Sequence, residues 1–183
     1  MTDVLLIVDT SLSVKQYVKP YSELVNNILK TYKEASTVSV CTFSYTSNVI
    51  VKDARPDTIP EIPIIPTGTT SLYDSISEIL CKFDDRPRLV IILTDGDDNS
   101  SGYCNVHTLT DRVAMFKAKG WKFVFLGLDI HSMEIGKHIG FNVCVLYSTD
   151  FTRITELLSS LSYNNIKDRE EYDISQCFSS MKI

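Results

Sequence analysis

The stretch that most constrains the fold is Val4-Leu5-Leu6-Ile7-Val8, which runs directly into Asp9-Thr10-Ser11-Leu12-Ser13. Five apolar residues without polar alternation predict a strand buried on both faces, and such a strand belongs in the middle of a mainly parallel sheet covered by helices. The run stops at a carboxylate, with serine hydroxyls at the next two alternate positions. Open α/β sheets place their ligands at the carboxyl ends of the strands. An Asp-x-Ser-x-Ser set in that position offers only hard oxygens and suits magnesium or manganese. The same residue types also make plain turns and helix caps, so the remainder of the chain has to separate the two readings.

The chain has 183 residues, enough for one well-filled core and too few for two ordinary domains. Its net charge of -5, with no run of Lys or Arg, argues against a nonspecific grip on nucleic acid or on an anionic membrane. Met1-Thr2-Asp3 has no basic start, and the apolar run after it is too short to span a bilayer. Five widely spaced cysteines, Cys41, Cys81, Cys104, Cys144 and Cys177, do not make a disulfide framework. A reduced, cytoplasmic protein is the expectation.

Apolar residues from Val14 to Tyr32 recur at three and four, and Pro20 places a helix start near Lys19, with residues 13 to 18 as a loop. Thr37 to Phe43 reads as a second strand, and Asn48 to Lys52 as a short third one that pairs with it as an antiparallel edge. Four prolines between Asp53 and Thr67 exclude regular structure there. Gly68-Thr69-Thr70-Ser71 then turns into a helix with Leu72, Ile76, Ile79, Leu80 and Phe83 as its buried stripe. Arg88 to Asp95 repeats the opening design: a doubly buried strand ending in Thr94-Asp95-Gly96. A helix over Val106 to Ala118, a strand from Lys122 to Leu128, a short helix from Ser132 to His138, a strand from Phe141 to Tyr147 and a last helix to about Leu161 complete the pattern. The fold class is α/β: a doubly wound, mainly parallel six-stranded sheet with one antiparallel edge strand and helices on both faces. Residues 1 to 163 form the domain, and 164 to 183 form a polar tail.

In such a sheet the first strand and the Arg88 strand lie side by side where the strand order reverses, and their carboxyl ends share one crevice. Asp9, Ser11, Ser13 and Asp95 can then face a common point, with the Thr69-Thr70 loop on a third side. Asp9-x-Ser11-x-Ser13, Gly68-Thr69-Thr70-Ser71-Leu72-Tyr73-Asp74 and Leu93-Thr94-Asp95-Gly96 together resemble the three ordered segments of the metal-ion-dependent adhesion site in von Willebrand factor A domains. Thr94-Asp95-Gly96-Asp97-Asp98-Asn99 with Gly120-Trp121-Lys122-Phe123-Val124-Phe125-Leu126-Gly127 is especially similar to the small stand-alone members of bacteria and viruses. The resemblance spans residues 3 to 162. It implies that Ser11 and Ser13 bind the cation directly, Thr70 directly or through water, and Asp9 and Asp95 mainly through water. It also implies a protein partner that offers a carboxylate to the ion, and no catalysis. The family usually has glycine where this chain has Leu12, so a positive φ there would strain the turn by about 1–2 kcal/mol.

Two other readings compete. One is a metal-free scaffold whose oxygens only satisfy loop amides. The other is a magnesium phosphatase with Asp9 as nucleophile, although Ser11 stands where such enzymes usually carry a second acid. Cys104 and His107 have metal-ligand spacing but no second pair. Asp97, Asp98 and Asn99 read as a solvated turn at the rim, and Asp74 as a support for the Thr70 loop or a helix-surface charge.

Overall fold

The computed structural model describes residues 3–35, 37–146, 154 and 156–158. Six strands, β1 (Asp3–Asp9), β2 (Thr37–Phe43), β3 (Ser47–Ala54), β4 (Arg88–Thr94), β5 (Lys122–Gly127) and β6 (Val143–Leu146), form one sheet in the order β3-β2-β1-β4-β5-β6. Only the β2–β3 pair is antiparallel. The strand order reverses between β1 and β4, which are in register from Asp3 opposite Arg88 to Val8 opposite Leu93. The carboxyl ends of these two central strands therefore open side by side.

Side-chain alternation along β1 divides its apolar run between two cores. Leu6 and Val8 pack with Tyr21, Leu24, Val25 and Ile28 of α1 (Val18–Thr31), and with Ile154 and Leu158 from a helical segment after β6. Leu5 and Ile7 face α2 (Leu72–Cys81), α3 (Val106–Ala118) and α4 (Ile130–Ile139) through Ile76, Leu80, Leu109, Val113 and Ile139. Each fully buried aliphatic side chain of this kind contributes about 1.5–3 kcal/mol. A row of rings fills the far end of the second core, with Phe141 stacked between Phe123 and Phe125 at 5.6 and 5.4 Å.

The amino end of the sheet is closed by Arg88, which is fully buried. Its guanidinium donates to Asp53 at 2.7 Å and Asp84 at 3.1 Å and lies 4.8 Å from the centre of the Phe83 ring. Asp53 ties this cluster to the edge strand from a left-handed φ of 48°.

The structure corrects the elements in detail. Residues 13 to 18 are not a loop: a 3-10 segment covers Leu12–Tyr17, and α1 follows from Val18. Pro20 is compatible with this because it still falls in the first turn, where its missing N–H has no intrahelical partner to lose. The third strand is longer than Asn48 to Lys52 because its pairing with β2 continues past a register shift at Val38–Cys41. The strand after Gly120 ends at Gly127 instead of Leu128. The short helix begins at Ile130 instead of Ser132, since Asp129 caps it by accepting from the Ser132 N–H at 2.7 Å. The strand expected from Phe141 begins at Val143. Tyr147, the start of the last helix and the whole tail lie outside the described residues. No helix among the described residues is long and apolar enough to cross a membrane.

Candidate metal centre

Where β1 ends, Asp9 is completely buried and both its oxygens are engaged. Oδ1 accepts the Ser11 N–H at 2.7 Å, and Oδ2 accepts the Thr94 hydroxyl at 2.7 Å. The Thr94 hydroxyl in turn accepts the Gly96 N–H at 3.0 Å, so one chain of hydrogen bonds joins the ends of β1 and β4. Burial is the largest influence on Asp9 and pushes its pKa up to about 6 against the two hydrogen bonds, with the Asp95 charge adding to the rise.

The Asx turn made by Asp9 directs the following backbone so that the Ser11 and Ser13 hydroxyls meet at 2.8 Å. Ser11 is buried and Ser13 is exposed, which gives the pair one inner and one outer oxygen. Asp95 stands across the crevice, half-buried. Its pKa is raised, chiefly by burial, while the Ser13 hydroxyl and the Asp97 backbone N–H favour its ionised form and the Asp97 and Asp129 charges oppose it. Its Oδ1 is buried with no hydrogen-bond partner among the described residues.

The loop that carries Thr70 is tied to the same strand end through backbone hydrogen bonds. The Leu12 N–H donates to the Gly68 carbonyl at 3.1 Å and the Thr67 N–H to the Thr10 carbonyl at 2.7 Å, which fastens the 67–70 loop to the end of β1. Gly68 makes the bend at a φ of 65°. On its other side Thr70 is held by Asn99, whose side-chain oxygen accepts the Thr70 N–H at 2.9 Å and whose own N–H donates to the Thr70 carbonyl at 3.0 Å. Thr70 is buried, and Thr69 is exposed. Leu12 does not adopt a positive φ; it opens the 3-10 segment without strain, with its side chain in solvent.

Of the expected solvated turn Asp97-Asp98-Asn99, Asp97 is exposed, whereas Asp98 and Asn99 join Ser100 and Ser101 in a clamp. Besides the Asn99 pair, Asp98 accepts from the Tyr73 N–H and from Ser101, and the Ser100 hydroxyl meets that of Ser71. Asp74 works the same junction from α2 by accepting the N–H groups of Gly102, Tyr103 and Cys104 at 2.7, 3.3 and 2.6 Å. Thr94, Asn99 and Asp98 are thus supports that the sequence reading left out. The hydroxyl beside Asp95 was visible in the sequence, but its bond to a carboxylate on another strand was not. Among the described residues no three His, Cys, Asp or Glu side chains come together as a metal cluster. Cys104 is buried, and the His107 ring faces His138 at 6.4 Å.

The donors that converge here are hydroxyls and carboxylates. A buried carboxylate oxygen without a donor and two serine oxygens in contact fit a small, hard divalent cation: a positive charge would compensate the first and draw on the lone pairs of the second.

This fold, with the crevice between β1 and β4, is that of von Willebrand factor A-type domains. Similar solved structures include the VWA2 paralog of ArnB from Sulfolobus acidocaldarius, at 18% identity and a TM-score of 0.62 over 86% of this chain and 44% of that one. Proximal thread matrix protein 1 from the mussel byssus is 17% identical, with a TM-score of 0.65 over 88% and 46%. A von Willebrand factor type A protein from Catenulispora acidiphila is 16% identical, with a TM-score of 0.54 over 87% and 41%. The chain spans less than half the length of each of these three. No family model and no curated protein sequence matches it.

Proposed function

We infer that the chain is a protein-interaction module that holds a magnesium or manganese ion between Asp9, Ser11, Ser13, Thr70 and Asp95 and offers it to a carboxylate of a partner protein. The observation that carries this reading is that hydrogen bonds tie the 67–70 loop to the loops after β1 and β4, with the Ser11 and Ser13 oxygens 2.8 Å apart and a buried oxygen of Asp95 left without a donor. Ser11, Ser13 and Thr70 would supply neutral oxygens. Asp9, whose oxygens already serve Ser11 and Thr94, would act from behind them. A cation held mainly by neutral groups keeps positive charge for an incoming acid.

The reading is of binding without catalysis. Asp9 is buried and doubly hydrogen-bonded, a poor state for a phosphorus-attacking nucleophile. The likeness to a thread matrix protein also favours a role in assembly. A reducing, cytoplasmic setting accords with Cys41, Cys81 and Cys104 being free thiols.

Thermal melting in magnesium, in manganese and in chelator tests the metal. At tenfold saturation the ion adds about 1.4 kcal/mol to stability. For a chain of this length that raises the midpoint by about 2–6 °C. The rise is expected to vanish in Ser11→Ala and in Asp9→Ala. A wild-type curve unmoved by millimolar metal contradicts the reading and favours the metal-free scaffold.

A further inference from the structure

The crevice has an apolar rim. Leu12, Tyr45, Ile65, Tyr103 and Ile130 are each between 55% and 72% exposed. They sit on the loops that follow β1, β2, β4 and β5 and on the segment leading to Thr70. Hydrogen bonds already described bind Leu12 to Gly68. Tyr45 lies over the same glycine, its Cβ 3.7 Å from where a Gly68 Cβ would be. Ile65 is two residues ahead of Thr67, which is tied to Thr10. Tyr103 is fixed on Asp74 through its N–H, and Ile130 follows the Asp129 cap of α4. Isolated exposed apolar residues need no explanation, but a set of large ones gathered on the connections at one end of a sheet marks an interaction surface.

The rim also carries negative charge. Asp97, with its side chain 66% exposed, follows Asp95 by two residues, and Asp98 and Asp129 lie on the same loops. A segment with several acids would be repelled by these carboxylates even with a divalent ion in place. One carboxylate with uncharged neighbours avoids that repulsion and can cover the apolar groups.

We propose that the partner segment is a single acidic residue flanked on both sides by large apolar side chains, which pack on Leu12, Tyr45, Ile65, Tyr103 and Ile130 while the acid faces the cation. This rests on the metal-dependent reading above and adds the sequence class of the partner.

The test uses the full chain and three dye-labelled, end-blocked pentapeptides: aspartate between two phenylalanines, aspartate between two serines, and three consecutive aspartates. Fluorescence anisotropy in millimolar magnesium is expected to give the phenylalanine peptide an affinity about tenfold above the serine peptide, with the tri-aspartate peptide weakest at low salt. Ile65→Ser and Ile130→Ser are each expected to reduce the affinity of the phenylalanine peptide by about threefold or more and to leave the magnesium melting shift as in the wild type. Equal affinities for the first two peptides, or a preference for tri-aspartate, overturn the proposal. If the melting shift is present at the same time, the metal reading stands without it. Absence of both the melting shift and any effect of chelator on peptide binding removes the two together. A magnesium-dependent dimer that dissolves in Ile65→Ser, with no peptide bound, puts a second copy on this face and also overturns the proposal.

Discussion

At the scale of single residues, the site stores a conflict between stability and binding, and Asp9 carries it. Burial holds its pKa at about 6 in the folded chain, above its ordinary 3.8. A carboxyl raised in this way contributes stability that is complete below the unfolded pKa and is lost as pH rises through the folded one. In chelator, the contribution of Asp9 therefore declines between roughly pH 4 and pH 6, by on the order of 3 kcal/mol. Asn at this position keeps an acceptor and removes the charge. Asp9→Asn is thus expected to melt about 5 °C above the wild type in chelator at pH 7, to lose that part of the pH dependence, and to show no magnesium shift. Melting curves across pH with and without metal check all three. A wild-type midpoint in chelator that climbs from pH 4 to pH 6 by as much as that of Asp9→Asn, or more, would deny the buried charge.

At the scale of elements, the strands were legible because burial on two faces leaves an unmistakable pattern. The runs ending at Val8 and Leu93 have no polar alternation, and each delivers an aspartate to the same end of the sheet. Ser11 and Ser13 stood out by their spacing from Asp9, and Thr70 only through the resemblance to the adhesion-site segments. The fastening between loops was not legible. Asn99 grips Thr70 and Asp74 grips Cys104 across separations of 29 and 30 residues, and such pairs leave no periodic trace in a sequence. An Asp-Asp-Asn run reads as a solvated turn until its partners are seen. Gly96 belongs to the same hidden layer: it has a φ of 85°, and a Cβ there would strike Ser132 at the start of α4. Gly96→Ala is expected to cost about 2 kcal/mol or more and to weaken metal affinity by displacing Asp95. Chemical denaturation together with a metal titration measures both. A variant with wild-type stability would mean that α4 gives way at no cost.

At the scale of the whole molecule, the two ends of the sheet do different work. The carboxyl end gathers oxygens around a vulnerable crevice, and the amino end is locked by the ion cluster around Arg88. Burial opposes the charge on Asp53, yet the Arg88 hydrogen bond and the charges of Arg88 and Arg86 outweigh it and hold its carboxyl below the ordinary 3.8. The sign is opposite to that of Asp9: this stability is present above pH 4 and is lost as acid protonates the folded carboxylate. Asp53→Asn, which tolerates the left-handed backbone, is expected to lose about 1–3 kcal/mol at pH 7 and progressively less below pH 4. Urea midpoints over that range measure the difference. A gap independent of pH would place the loss in packing and not in charge.

The account as a whole depends on three loops enclosing one ion, and counting that ion is the most direct check. Titrating the chain into manganese and following the free-ion signal by electron paramagnetic resonance should give one bound ion per chain in the wild type. Binding should weaken by about tenfold or more in Ser11→Ala, in Thr70→Val and in Asp95→Ala separately, since each removes an oxygen from a different loop. Manganese that stays free at millimolar protein, or binding that all three variants retain, would contradict the account.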